Sequence, residues 1–347
     1  MITASPHLYL RRGQVLGVPD EVLRRALRHA ERVEQQGLAS ILTLGHLAHR
    51  TGVPYQYLRG VVERRNDPYR VFEIRRRSGK TKRLISTPEP TLMLAQKWLV
   101  KNVLNCLNPH PDSYAYQPRR SVRACATRHL GARWLAKADL HDFFHSINER
   151  STYRVFLSAG YSPLVSLELA RLCTRLSGHR LVDSSTSRED YPVIPNYHST
   201  YLGFLPQGAP TSGALANLVA RRLDERLSAY AVAQRLVYTR YADDLIFSSG
   251  GEFRRGHAAA ILQKVSLVAA ECGFALHHRK SRIVPPGARK IVLGLLIDGD
   301  RIRIRKEMRS RIITHVRGVE KFGLSAHRAW CHRMSAPPGM ISYHPPT

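Results

Sequence analysis

The chain has 347 residues, 43% of them apolar and 23% charged, which excludes a largely disordered polypeptide and suffices for two or three packed subdomains. Fifty-four Lys and Arg stand against 26 Asp and Glu, a net charge of +28, and 44 of those cations are arginine. A compact state this cationic repels itself unless a polyanion neutralises it. Nucleic acid is therefore the first partner class, ahead of an anionic membrane surface, for which no lysine-rich amphipathic anchor is present. Cys106, Cys125, Cys173, Cys272 and Cys331 show no C-x-x-C and no metal-ligand spacing, and are expected to be reduced and mostly buried. No apolar leader opens the sequence, and the run at 291–297 is too short to span a bilayer. A soluble, cytoplasmic protein without a membrane partner is expected.

In chain order, apolar spacing predicts a helix over 20–36, with Asp20 placed to cap it after Pro19. Residues 42–65 read as two short helices around a Gly52 turn, a unit that could pass for a DNA-binding helix-turn-helix. The period then changes to two, and 70–87 reads as a hairpin turning at Ser78-Gly79. A helix starts near Pro90, and 133–139 reads as a buried strand ending on Asp139. Helices are expected at 149–158 and 163–177, a polar loop at 178–201 and a helix over 211–232. Residues 236–249 read as two strands with Asp243 and Asp244 at their turn. A helix over 254–272, a short strand, a hairpin over 291–304 and a helix over 305–322 complete the chain.

Three carboxylates carry the chemistry. Asp139 closes an apolar strand, and Asp243-Asp244 tip a hairpin about a hundred residues later, with a Gln-Gly loop between them. Adjacent acids at a turn can be a solvated turn and nothing more. Acids converging from two strands, however, supply oxygen ligands for two hard cations about 3.5–4 Å apart, as nucleotidyl transfer requires.

Three strings, Ala138 to Ile147 (ADLHDFFHSI), Leu205 to Leu218 (LPQGAPTSGALANL) and Tyr241 to Asp244 (YADD), resemble the palm motifs of reverse transcriptases in order and spacing. Their detail resembles bacterial retron enzymes, or a closely related defence-associated group, over about 42–322. The resemblance implies an α+β right-hand polymerase with an antiparallel palm sheet. Its parts would be a helical N-terminal segment (1–68), fingers (69–135), palm with fingers elements (136–290), and primer grip with a short thumb (291–347).

It further implies an RNA-directed DNA polymerase. Asp139, Leu140, Asp243 and Asp244 would hold two Mg2+ ions, and Lys280 would stand near the pyrophosphate as a proton donor, which arginine cannot be. Lys82 or Arg83 would clamp the triphosphate, and Gln207 and Gly208 would contact nucleotide and template. Phe144 would lie under the sugar, leaving no room for a 2′-OH, while Phe143 packs in the core. Tyr241, Leu293 and Gly294 would seat the primer end, and Asp142 would make a structural hydrogen bond. The implied partners are a structured non-coding RNA, its single-stranded DNA product and RNA–DNA hybrid, dNTPs and a defence effector protein. The chain departs from the retron pattern at Cys125, where Asn precedes Ala-x-x-His, at Leu293, where Val-Thr-Gly is usual, and at Gly213, where Pro is usual. A nucleic-acid-binding regulator with an inactive polymerase body is the reading from another class.

Overall fold

The computed structural model describes residues 6–75, 82–176 and 202–335. The turn at Ser78-Gly79, the polar loop over 178–201, the residues past 335 and the Lys82 side chain lie outside the described residues. Two helices open the chain, α1 (Pro6–Val15), which the sequence reading did not foresee, and α2 (Asp20–Gln35). Asp20 does not cap α2. Pro19 holds the N-cap position, and Asp20 instead accepts from Gln14 and Arg24. Next come α3 (Leu44–Thr51) and α4 (Tyr55–Val62), separated by Gly52 in the left-handed conformation. Leu47, Leu58, Val61 and Val62 of this pair are buried in the main core, so the helix-turn-helix-like unit is packed into the same body as the strands that follow.

A hairpin follows, β1 (Tyr69–Arg75) with β2 (Lys82–Pro88), then α5 (Pro90–Asn102) and the short α6 (Val122–Thr127). The first palm strand, β3 (Trp134–Asp139), leads into α7 (Phe143–Ser146), α8 (Glu149–Ser158) and α9 (Pro163–Cys173). The helix expected over 211–232 is two, α10 (Ser212–Val219) and α11 (Arg221–Ala233), broken at Ala220. Then come β4 (Val237–Tyr241), β5 (Asp244–Ser249), α12 (Arg255–Glu271) and β6 (Arg282–Val284). The expected 291–304 hairpin is a three-stranded sheet of β7 (Lys290–Val292), β8 (Leu295–Asp298) and β9 (Arg301–Ile304). The last helix, α13 (Lys306–Ser335), runs past 322 through a non-helical Gly323 (φ 76°, ψ 160°).

The palm sheet has the order β4-β5-β3-β6 with every pair antiparallel. Its side chains alternate between two covered faces. Trp134, Ala136, Ala138, Leu245 and Phe247 join the main core, while Leu135 and Ile246 pack with Val292 and Ile297 of the β7–β9 sheet. Burial on both faces explains why β3 reads as a continuous apolar run rather than an alternating one. The register pairs Asp139 with Asp244 and Lys137 with Ile246, so both acids share the face that β7–β9 covers farther along. That cover stops short of the strand end, and the acids open onto a cavity.

Three cysteines depart from the expected burial. Cys125 and Cys173 are buried, but Cys106 is exposed and Cys272 and Cys331 are only half-buried.

Candidate active site

The β4–β5 connection holds two residues, Ala242 and Asp243, between the paired Tyr241 and Asp244. Ala242 takes φ 55°, a left-handed conformation that costs an L-residue about 1–2 kcal/mol. Surrounding contacts hold it there. The buried Arg240 guanidinium donates to the Ala242 carbonyl (3.2 Å), to Asn217 Oδ1 (3.0 Å) and to both Asp224 carboxylate oxygens (2.8 and 2.7 Å). Tyr238 donates to the same carboxylate at 2.8 Å. The Leu140 N–H donates to the Asp243 carbonyl (2.8 Å), tying the end of β3 to the turn.

On the other face, His129 lies 2.7 Å from Ser248 Oγ through Nδ1 and 2.7 Å from Thr239 Oγ1 through Nε2, fastening β4 and β5 together. Cys125 Sγ lies 3.3 Å from the same Thr239 hydroxyl. Burial and the neighbouring Arg128 and Lys137 push His129 down to about 4, so it is neutral at physiological pH.

Asp139, Asp243 and Asp244 line a cavity of about 980 Å³ together with Leu140, Phe144, Arg83, Gln207, Tyr241, Lys280, Leu293 and Gly294. Asp139 and Asp244 are directly opposed across the strands, a placement in which like charges repel. Burial first, and then the Asp243 charge, push Asp244 up to about 6. Asp243 is also raised, by burial and by Asp139, against the pull of Lys280 and Arg83. Lys280 Nζ donates to Asp139 Oδ1 at 2.7 Å. In this structure the lysine is thus a counter-ion to one acid of the cluster.

Both phenylalanines border the cavity, but Phe143 is buried in the main core, whereas Phe144 is half-buried with its ring edge-on to Tyr116 at 5.8 Å. Gly208 takes φ 116°, and a Cβ there would meet Ile85 and the Ser86 carbonyl. Its close approach is therefore to β2, where the Ser86 N–H donates to the Gln207 carbonyl (2.7 Å), so the Gln-Gly loop is docked on the β1–β2 hairpin. Gly208 itself lines an adjoining cavity of about 470 Å³ that shares Tyr116, Phe144 and Gln207 with the first. Gly213 leaves room for the Tyr116 ring. Leu293 and Gly294 have φ 48° and 87° between the paired Val292 and Leu295, the sign pattern of a type I′ hairpin turn. The Asp142 carboxylate is exposed, 3.4 Å from the His141 ring. Its structural bond is made by its main chain, whose carbonyl accepts from the Ser146 N–H (2.9 Å).

Sequence reasoning missed Lys137, Tyr116 and the buried Arg240–Asp224–Asn217 group. A signal for Arg240 existed, because its position in β4 points a charge to the covered face, where only a buried partner could hold it. Lys137 and Tyr116 carried no comparable signal.

Residues 74–295 match the family described as reverse transcriptase (RNA-dependent DNA polymerase). Retron Ec86 reverse transcriptase of Escherichia coli is 30% identical over 309 residues, 85% of this chain and 88% of that protein. Retron Mx162 reverse transcriptase of Myxococcus xanthus is 32% identical over 286 residues, 77% of this chain and 56% of that one. Retron Mx65 reverse transcriptase, also of Myxococcus xanthus, is 32% identical over 266 residues, covering 75% and 58%. The chain thus spans somewhat over half the length of the two Myxococcus relatives. An apo telomerase from Candida tropicalis truncated from its C-terminal domain aligns with a TM-score of 0.42 at 12% identity, over 68% of this chain and 55% of that one, too little to carry an argument. With its right-hand polymerase fold and these relatives, the chain belongs to the retron-type reverse transcriptases and is an RNA-directed DNA polymerase.

Proposed function

We propose that the chain copies a dedicated structured non-coding RNA into single-stranded DNA by two-metal nucleotidyl transfer, in the cytoplasm and within an anti-phage system that includes an effector protein. The observation that carries the chemistry is the convergence of Asp139, Asp243 and Asp244 on one wall of a cavity otherwise rich in cations. The donor set fits hard divalent ions. All the charged donors are carboxylates, burial and then their mutual repulsion raise Asp243 and Asp244, and a lysine ammonium already sits on Asp139. Asp139, Asp243 and Asp244 would hold two Mg2+ ions, joined by the main-chain carbonyl of Leu140, whose buried apolar side chain offers nothing. When bound, the ions supply an activated primer hydroxyl and neutralise charge on the leaving pyrophosphate.

The chain's own residues do the rest. Lys280 exchanges Asp139 for the pyrophosphate and gives it a proton, while Arg83, with Lys82 beside it in sequence, clamps the triphosphate. Phe144 lies under the sugar and excludes a 2′-OH by contact. Gln207 and Gly208 abut nucleotide and template, and Tyr241, Leu293 and Gly294 seat the primer end. In this reading 1–68 is the N-terminal segment, 69–135 the fingers, 136–290 the palm with fingers elements and 291–347 the primer grip and short thumb. Among the described residues no helix is long and apolar enough to cross a membrane, and the +28 charge fits a nucleic-acid partner. The defence role rests on the family resemblance alone.

Sequencing the nucleic acids that co-purify with the protein tests the template reading. One abundant structured RNA is expected, together with DNA complementary to a segment of it. A broad sample of cellular RNA with no complementary DNA would overturn it.

A further inference from the structure

Far from the palm acids, α13 folds back on itself at Gly323 and brings a different donor set together. His315 precedes the kink, and His327 and Cys331 follow it one helical turn apart. The expectation that none of the five cysteines has metal-ligand spacing overlooks this set. His327-x-x-x-Cys331 places two donors on one helix face, as i and i+4 positions do.

His315 Nδ1 and His327 Nε2 are 3.0 Å apart, and Cys331 Sγ lies 3.7 Å from the first and 3.6 Å from the second. A tetrahedral zinc ion, with bonds of about 2.0–2.1 Å to nitrogen and about 2.3 Å to sulfur, sets its ligand atoms about 3.3 Å apart for two nitrogens and about 3.6 Å for nitrogen and sulfur. The triangle has those proportions. The site is also built. His327 is buried although most of the helix is exposed, and its ring stacks on Trp330 (5.5 Å between centroids, 22° between planes). A Cβ at residue 318 would overlap the His327 ring, so Gly318 is what lets that ring lie against the first half of the helix.

We propose that His315, His327 and Cys331 form a zinc site that clamps the two halves of α13 together. Two imidazoles and a thiolate select zinc over magnesium, the reverse of the all-oxygen palm cluster, so the two sites do not compete for one ion. Binding releases the Cys331 thiol proton to solvent, and one coordination position is left for water or an outside ligand.

The test uses the full chain, stripped of metal and titrated with Co2+ and Zn2+. Wild-type protein should take up one equivalent of cobalt with tetrahedral d–d bands and a thiolate-to-cobalt charge-transfer band, both displaced by zinc. Cys331→Ser should lose the charge-transfer band, and His327→Gln should lose tight cobalt binding. The paired Asp243→Asn and Asp244→Asn variant should keep both. Alkylation of the unmutated protein, read peptide by peptide, removes any dependence on how the variants fold. Zinc should protect Cys331 and leave the exposed Cys106 unchanged. The absence of a charge-transfer band in the wild type, its persistence in Cys331→Ser, or Cys331 alkylation indifferent to zinc would each overturn the site.

Discussion

The palm sheet and the β1–β2 hairpin share antiparallel pairing but are built for opposite ends. In the palm, Leu135, Ala136, Leu245, Ile246 and Phe247 are fully buried, and both faces are covered. In the hairpin, Val71, Phe72, Ile74 and Leu84 remain 38–48% exposed. Slipping the palm register by one residue would exchange the two differently packed rows between the covered faces and separate Asp139 from Asp244, so burial fixes the placement of the acids. The hairpin has less burial to lose, and it brings Arg83 to the cavity wall. A buried floor holds the acids, and a more exposed arm carries the proposed triphosphate clamp.

The same contrast occurs between adjacent residues of α7, and there the largest effects are expected. Phe143→Ala should cost about 3–5 kcal/mol in denaturant unfolding, because the ring packs in the core beneath Arg240 and against Phe274, and should leave sugar choice unchanged. Phe144→Ala should stay folded and raise the rNTP/dNTP incorporation ratio on an RNA template about tenfold or more, the equivalent of about 1.4 kcal/mol. An unchanged ratio in folded Phe144→Ala would put the gate elsewhere.

The burial of the floor has a pH signature. The folded-state pKa of His129, about 4, lies below the ordinary 6.5, so the unfolded chain binds more protons between those values. Stability from this group is therefore complete above about pH 6.5 and is lost as pH falls toward 4, by about 3 kcal/mol in all. His129→Gln, which cannot titrate, should be less stable at pH 7 and show a flatter slope over the same window. A slope as steep as wild type would remove His129 from the account.

On the arm, Arg83→Ala should raise KM for dNTPs by about 10- to 100-fold, as expected for a charge-assisted bond of about 1.5–3 kcal/mol. The unfolding free energy should change by less than about 0.5 kcal/mol, because the side chain is exposed. Lost stability with unchanged KM would reverse the division between floor and arm.

How far the sequence could be read follows the same division. The palm strands, the turn bearing Asp243 and the helix over 149–158 were legible, because period and turn chemistry act locally there. The break at Ala220 and the turn at Leu293-Gly294, which divides 291–297 into two strands, were not. Alanine is no helix breaker, and one glycine inside an apolar run does not by itself mark a turn, so packing decides both. Asp139, Asp243 and Asp244 could be singled out by their placement at strand ends. Arg240 and His129, which hold the turn those acids sit on, depend on partners 16 and 119 residues away, and no local pattern shows such a pairing.

The central claim is that the acids at the end of the palm sheet drive DNA synthesis without holding the nucleic acid. The direct measurement is dNTP incorporation on an RNA template by the paired Asp243→Asn and Asp244→Asn variant, with RNA affinity measured on the same preparation. Incorporation should fall on the order of 10³-fold or more, the equivalent of several kcal/mol of metal-dependent transition-state stabilisation, while RNA affinity stays within about twofold. Undiminished synthesis by the folded variant would contradict the account.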